Sequence, residues 1–366
     1  MDLSSNPIGD GGGGKIGEAL AVNSSLTELD LTFTKIGDFG AAKIGEGLAI
    51  NSTLALLNLS LNEIGAGGKT VGEALIVNST LTSLDLFGNY LGDAGGVTFG
   101  DAVAVNSILT HLSLSRNRIG EGAAMIGQAL AVNSTLTSLN LSENKIGDDA
   151  GVNFGQGLTV NSTLVKLNLS KNQIENGGGT RIGVALATNS ALAKLNLSDN
   201  QIETGAGVKI GEALAVNSIL TKLNLSNNGI GDESGAEIGD ALAVNSTLAV
   251  LNIDCNLFTD MGGVKIRDGL AVNSTLTSLT FSSSDWTLLD SYIGRNKHNI
   301  HLKSLSLFCL LLPWLQSAFI EEIPSSSTTR KREAASPGRS FLPEPPAKRE
   351  TRRHSRFNRT YPNRQH

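Results

Sequence analysis

Apolar and polar residues follow two rhythms that take turns along the chain. In Lys166-Leu167-Asn168-Leu169-Ser170 they alternate one for one, the signature of a short half-buried strand. In Ala123-Ala124-Met125-Ile126-Gly127-Gln128-Ala129-Leu130 the spacing is helical: Ile126 and Leu130 stand four apart, with Ala123 and Ala129 on the same side. Strand, turn, helix and turn together make one unit, and the unit recurs.

Its period is read from Asn-Ser followed by Leu. The Asn falls at 23, 51, 78, 106, 133, 161, 189, 217, 245 and 273, so successive gaps are 27 or 28 residues. Within each unit the pattern is L-x-x-L-x-L-x-x-N. It reads Leu54, Leu57, Leu59, Asn62 in one unit, Leu136, Leu139, Leu141, Asn144 in another, and Leu220, Leu223, Leu225, Asn228 in a third. Ten full copies begin at Leu26, Leu54, Leu81, Leu109, Leu136, Leu164, Leu192, Leu220, Leu248 and Leu276. A truncated copy, Leu3 to Asn6, precedes them; the first full copy has Thr34 in the Asn place and the last has Ser284.

This motif resembles the leucine-rich repeat, and the 27–28-residue length resembles its ribonuclease-inhibitor-like class. That class includes the repeat regions of NOD-like receptors and of the Ran GTPase-activating protein. The resemblance covers roughly residues 1–300. It implies an α/β solenoid, a horseshoe with parallel strands on the concave face and helices on the convex face.

Elementary spacing predicts the same bend. Neighbouring strands sit about 4.8 Å apart, whereas packed helices need about 8–10 Å. Ten strands would span about 45 Å. Gly127, Ala129 and their equivalents are expected to let neighbouring helices close up, offsetting the roughly 1 kcal/mol helix penalty of Gly. Asn133 and its equivalents are expected to take a left-handed cap after the helix. Asn144 and its equivalents should bond orphaned loop backbone with their side-chain amides.

The domain reading is residues 1–284 as repeats, 285–300 as a closing helix (Trp286, Leu288, Leu289, Tyr292 and Ile293 at helical spacing), 301–323 as an apolar segment and 324–366 as a disordered basic tail. Lys303, Pro313 and Gln316 interrupt the apolar stretch Leu302 to Ile320, which favours a packing segment over a membrane span. Net charge is −5 overall, with +6 in residues 321–366 and −11 in the remainder. Lys348-Arg349 and Arg352-Arg353 are candidates for nuclear import or nucleic-acid contact, against the plainer reading of a solvated tail. The two cysteines, Cys255 and Cys309, match no zinc or redox spacing and are expected to be reduced. With no basic start or apolar core at the N-terminus, a cytoplasmic location is expected, with a nuclear one open through the tail.

No catalytic, cofactor or metal set emerges. Gly9 to Lys15 fits the first seven positions of a phosphate-binding P-loop, but Ile16 replaces the magnesium-holding Ser/Thr. In Gly65-Ala66-Gly67-Gly68-Lys69-Thr70 the Thr is present, but Glu63 stands where the first Gly belongs. The five His residues form no ligand set.

Strand alternation instead predicts which side chains face outward. The first column is Glu28, Leu56, Ser83, His111, Ser138, Lys166, Lys194, Lys222, Val250 and Ser278. The second runs from Asp30 through Asn140, Asn168, Asn196, Asn224 and Asn252 to Thr280; the third includes Phe87 and Asp254. The Asn column is expected to bond along itself. Candidate partner-binding residues are Glu28, Leu56, Phe87, His111, Lys166, Lys194, Lys222 and Asp254. Three lysines on adjacent strands read as a strip for an acidic partner, against the plainer reading of repeat duplication.

The expected function is a non-enzymatic, monomeric protein-interaction scaffold that binds a protein partner on the concave face. The resemblance also permits a regulator of a small GTPase; the Ran-activating family typically carries an acidic C-terminal segment, where this tail is basic. It permits equally the ligand-sensing repeats of a NOD-like-receptor relative.

Overall fold

The computed structural model describes residues 1–282, all within the first of two compact units into which the chain divides. The assignments at 285–300, 301–323 and 324–366, with Ser284, Cys309 and the tail's basic pairs, lie outside the described residues.

Ten strands of three residues each occupy the predicted phase. They are β1 (Glu28–Asp30), β2 (Leu56–Asn58), β3 (Ser83–Asp85), β4 (His111–Ser113) and β5 (Ser138–Asn140), then β6 (Lys166–Asn168), β7 (Lys194–Asn196), β8 (Lys222–Asn224), β9 (Val250–Asn252) and β10 (Ser278–Thr280). Among the described residues one α-helix precedes β1 and nine run between the strands. The first five are α1 (Gly9–Leu20), α2 (Asp38–Ile50), α3 (Gly68–Val77), α4 (Gly92–Val105) and α5 (Ala123–Ala129). The rest are α6 (Asp148–Val160), α7 (Asn176–Leu186), α8 (Thr204–Val216), α9 (Asp232–Val244) and α10 (Asp260–Leu270).

The strands form one sheet in sequence order, every neighbour parallel and in exact register. Among the described residues, helices likewise pack on helices of adjoining units. The truncated first copy continues the stack: the N–H of Leu3 donates to the carbonyl of Asp30 and that of Ser5 to Thr32.

The motif leucines lie between the layers. Leu54, Leu57 and Leu59 are buried, as are Ile64, Val71 and Leu75 from the rest of that unit, and the copies beginning at Leu136, Leu164 and Leu192 bury the equivalent strand leucines. Ala123, Ile126, Ala129 and Leu130 are buried together, as their helical spacing predicts. Such a core exists only between neighbouring units.

Glycine explains how the helices fit. A Cβ on Gly17 would meet the carbonyl of Lys43 in the next helix, and one on Gly239 would meet that of Lys265. The tempting Gly9–Lys15 stretch serves the same end: it opens α1, where Gly13 and Gly14 are buried against α2.

Two ladders of asparagine tie one unit to the next. At the strand exit, Asn62 Nδ2 donates to the carbonyls of Leu31, Leu59 and Ser60, while its Oδ1 accepts from the N–H groups of Thr34 and Ile36. Asn89, Asn117, Asn144, Asn172, Asn200, Asn228 and Asn256 repeat the donor half. This is the role read from the sequence. Thr34 substitutes neatly: its hydroxyl donates to Leu31 O and also lies 3.0 Å from Asn62 Oδ1.

The second ladder departs from expectation. Asn51 is extended (φ −64°, ψ 133°), and Asn78, Asn106, Asn161, Asn217 and Asn245 are alike. None is left-handed. The chain leaves the helix extended because the side chain, not the backbone, does the capping. Asn51 Nδ2 reaches the carbonyls of Leu20 and Asn23 in the preceding unit, and its Oδ1 accepts from Thr53 and Leu54 N–H.

A third link is absent from the expectations. Helix N-termini are capped by the helix before them. Asp38 Oδ1 accepts from Gly65 and Gly67 N–H, and Asp148 Oδ1 from Glu175 and Gly178 N–H. Each carboxylate thereby meets the positive end of the next helix.

Candidate protein-binding face

The outward columns stand where alternation put them. In every strand the central leucine is buried and its two flanking residues are exposed or half-buried. Register places Lys166 opposite Lys194 and Lys194 opposite Lys222. At the strand spacing of about 4.8 Å this aligns three ammonium groups side by side. Among the described residues none has a carboxylate within ion-pair distance. They line a shallow concavity of ≈ 520 Å³ with Ser138, Asn168, Asn196, Asn224 and Val250.

The other candidates are spread out. Glu28 pairs in register with Leu56 on β1 and β2; both are exposed. Phe87 follows β3 and is half-buried, its N–H bonded to Asp85 Oδ1. His111 on β4 is exposed, its Nδ1 2.9 Å from Thr110 Oγ1. Asp254, half-buried, follows β9. Among the described candidates, register brings together the three lysines and, separately, Glu28 with Leu56. A second concavity at the opposite end, ≈ 470 Å³, is lined by Asp2, Glu28, Asp30 and Asp85, so the face changes sign along the array.

The expected hydrogen bonding along the Asn column is corrected. Asn140, Asn168, Asn196, Asn224 and Asn252 each accept, through Oδ1, the N–H two residues on. The strand ends at that point and its backbone needs an acceptor immediately, so the nearest side chain supplies it. Cys255 is also corrected: it is disulfide-bonded, not a reduced thiol.

Sequence reasoning missed the loop rim beyond the strands. The residue before each ladder Asn has positive φ in unit after unit: Phe33, Leu61, Gly88, Arg116, Glu143, Lys171, Asp199, Asn227 and Cys255. Alternation does not extend into such a turn. The signal was available as the recurring x-Asn-x, with the Asn inward and its neighbours outward.

Among the described residues no group of three or more His, Cys, Asp or Glu could hold a metal ion, and no helix is long and apolar enough to cross a membrane. Coils of 27 or 28 residues, stacked in one direction and linked by side-chain ladders, define an α/β solenoid. The chain is a leucine-rich-repeat protein. Residues 1–17, 22–45, 77–100, 105–126, 132–155, 160–183 and 216–239 match the family model described as Leucine Rich repeat. No curated protein matches the chain. Similar solved structures include an internalin from Listeria monocytogenes str. 4b F2365, 20% identical, covering 69% of this chain and 80% of that one at a TM-score of 0.40. Another is the actin-binding site 2 of leiomodin-1, 19% identical, covering 46% of this chain and 96% of that one at a TM-score of 0.34. Leucine-rich repeats generally mediate protein–protein interaction.

Proposed function

We propose that the protein is a non-enzymatic interaction scaffold whose outward strand face receives an acidic segment of a protein partner, centred on Lys166, Lys194 and Lys222. The observation that carries this reading is their register on β6, β7 and β8 without a counter-charge among the described residues. Like charges on directly opposed strand positions destabilise a sheet. An acidic partner relieves that repulsion on binding, and the long-range attraction speeds encounter. The 27–28-residue period supports placing the repeats in the ribonuclease-inhibitor-like class.

The test uses the full chain and a fluorescein-labelled oligoglutamate peptide. Reversing all three charges (Lys166→Glu, Lys194→Glu, Lys222→Glu) should abolish binding, and binding to the unaltered chain should fall steeply with salt. Undiminished binding by the triple variant removes these lysines from the function.

A further inference from the structure

The loop rim carries a separate site. Across β1 to β5 the two residues flanking the buried position of each exit turn form two rows. The inner row is Phe33, Leu61, Gly88, Arg116 and Glu143; the outer row is Lys35, Glu63, Tyr90, Arg118 and Lys145. All inner-row residues have φ between +55° and +69°, so Phe33, Leu61, Arg116 and Glu143 leave their turns from equivalent points.

Gly88 interrupts this row and lets Leu61 fold across the turn: a Cβ there would come within 2.8 Å of Leu61 Cδ2. Leu61 and Gly88 line a concavity of ≈ 500 Å³ together with Phe33, Tyr90, Arg118 and Lys145. The Arg118 guanidinium lies over the Tyr90 ring, 5.4 Å from its centroid. Neither Arg116 nor Arg118 has a carboxylate within ion-pair distance among the described residues, whereas Glu143 in the same concavity is engaged by Lys171 at 3.4 Å.

The apolar groups here are open: Phe33 is 58%, Leu61 40% and Tyr90 55% exposed. Folding gains little from large apolar side chains held in left-handed turns and left in water. An apolar patch edged by charge marks an interaction site, and Tyr with Arg is the pairing that dominates binding energy at interfaces.

We propose that this rim binds an acidic peptide carrying an aliphatic or aromatic anchor. The anchor enters this concavity, against Leu61 and Tyr90. A neighbouring carboxylate of the peptide is held by Arg116 and Arg118, whose planar guanidinium groups match carboxylate geometry. Phe33, Leu61 and Tyr90 line the same concavity and match an apolar anchor, which a phosphate backbone lacks, so a peptide fits better than a nucleic acid. The site is distinct from the lysine strip and does not depend on it.

The experiment uses the full chain carrying Lys166→Gln, Lys194→Gln and Lys222→Gln, so that the strand face contributes no charge. Fluorescence anisotropy is read with labelled peptides EELFEE, EESSEE and KKLFKK. EELFEE should bind about tenfold more tightly than either of the others, a difference of one anchor or one charge-assisted pair. Arg116→Glu with Arg118→Glu should weaken it by about tenfold or more, and the exposed-site variant Tyr90→Ala by about fivefold. Equal binding of the three peptides, no saturable binding, or indifference to the arginine reversal overturns the proposal. So does tighter binding of a labelled oligothymidine that the same reversal abolishes, which would assign the rim to nucleic acid. Because the strand-face lysines are neutralised throughout, these outcomes leave the lysine-strip reading untouched.

Discussion

Asn172 Oδ1 accepts the backbone N–H of Asn144 at 2.9 Å, and Asn144 is itself the matching ladder residue of the preceding unit. Each buried amide therefore holds the backbone that positions the next. Its Nδ2 also reaches back to Leu141 O, 31 residues earlier, and closes on Leu169 and Ser170 O within its own turn. This ladder runs between the rim and the strand face and ties the backbone of each to the other.

Replacing Asn144 by Ala removes three donated bonds and orphans the N–H groups of Asn117 and Ile119. Buried groups left without partners cost about 1–3 kcal/mol each, so a loss of about 2–4 kcal/mol is expected. Asn140→Ala, on the outward column, should cost under about 1 kcal/mol. Hydrogen exchange at the amides of Asn117 and Ile119 reads the effect locally, and should be accelerated only by the first substitution.

Helix-side glycines should divide by what faces them. Gly239→Ala drives a methyl into the carbonyl of Lys265 and is expected to destabilise by about 1–3 kcal/mol. Gly11 in α1 has nothing within 4 Å of an added Cβ, and Gly11→Ala should stabilise by about 0.5–1 kcal/mol. Denaturant melts of the two variants should shift in opposite directions.

Asp232 supplies the pH dependence of the last units. Partial burial pushes its carboxyl up, but hydrogen bonds from the Thr259 hydroxyl and from the Thr259 and Gly262 N–H groups outweigh this and hold it below its ordinary value of 3.8. A lowered folded-state value means that the contribution is complete above the unfolded value and is lost as pH falls through the folded one. Asp232→Asn should therefore loosen the α10 N-terminus at pH 7, and its difference from the unaltered chain should shrink below pH 3.8. Exchange rates of the Thr259 and Gly262 amides between neutral and acidic pH give the answer; a gap independent of pH contradicts it.

Lys194 has a lysine on both sides. Lys194→Gln should raise stability by a few tenths of a kcal/mol, while weakening the oligoglutamate interaction. A substitution that stabilises the fold and impairs binding is the pattern expected of a charge placed for a partner. Thermal melts and anisotropy on the same sample test both halves.

The repeat was legible because its motif demands little beyond local rhythm. Leu57 points inward and Leu56 outward by strand alternation alone, and register then aligned Lys166, Lys194 and Lys222. Asn144 was recognisable as a backbone-satisfying amide from its place at the strand end. Asn51 was misread, because an Asn after a helix suggests a left-handed cap, and its true partners, Leu20 and Asn23 O, lie one unit earlier. The carboxylate of Asp38 was passed over for the same reason: the N–H groups that it caps belong to the following helix.

Period and alternation along the chain were enough to establish ten parallel strands, their order, and the inward or outward sense of each strand residue, because these follow from backbone geometry repeated every 27 or 28 residues. Coordinates were needed for the asparagine and carboxylate links between units, the packing of Leu61 across Gly88 and the rim concavity that Tyr90 and Arg118 line. Those features arise where side chains from neighbouring coils meet, and no rule of local spacing specifies contacts between residues about thirty positions apart.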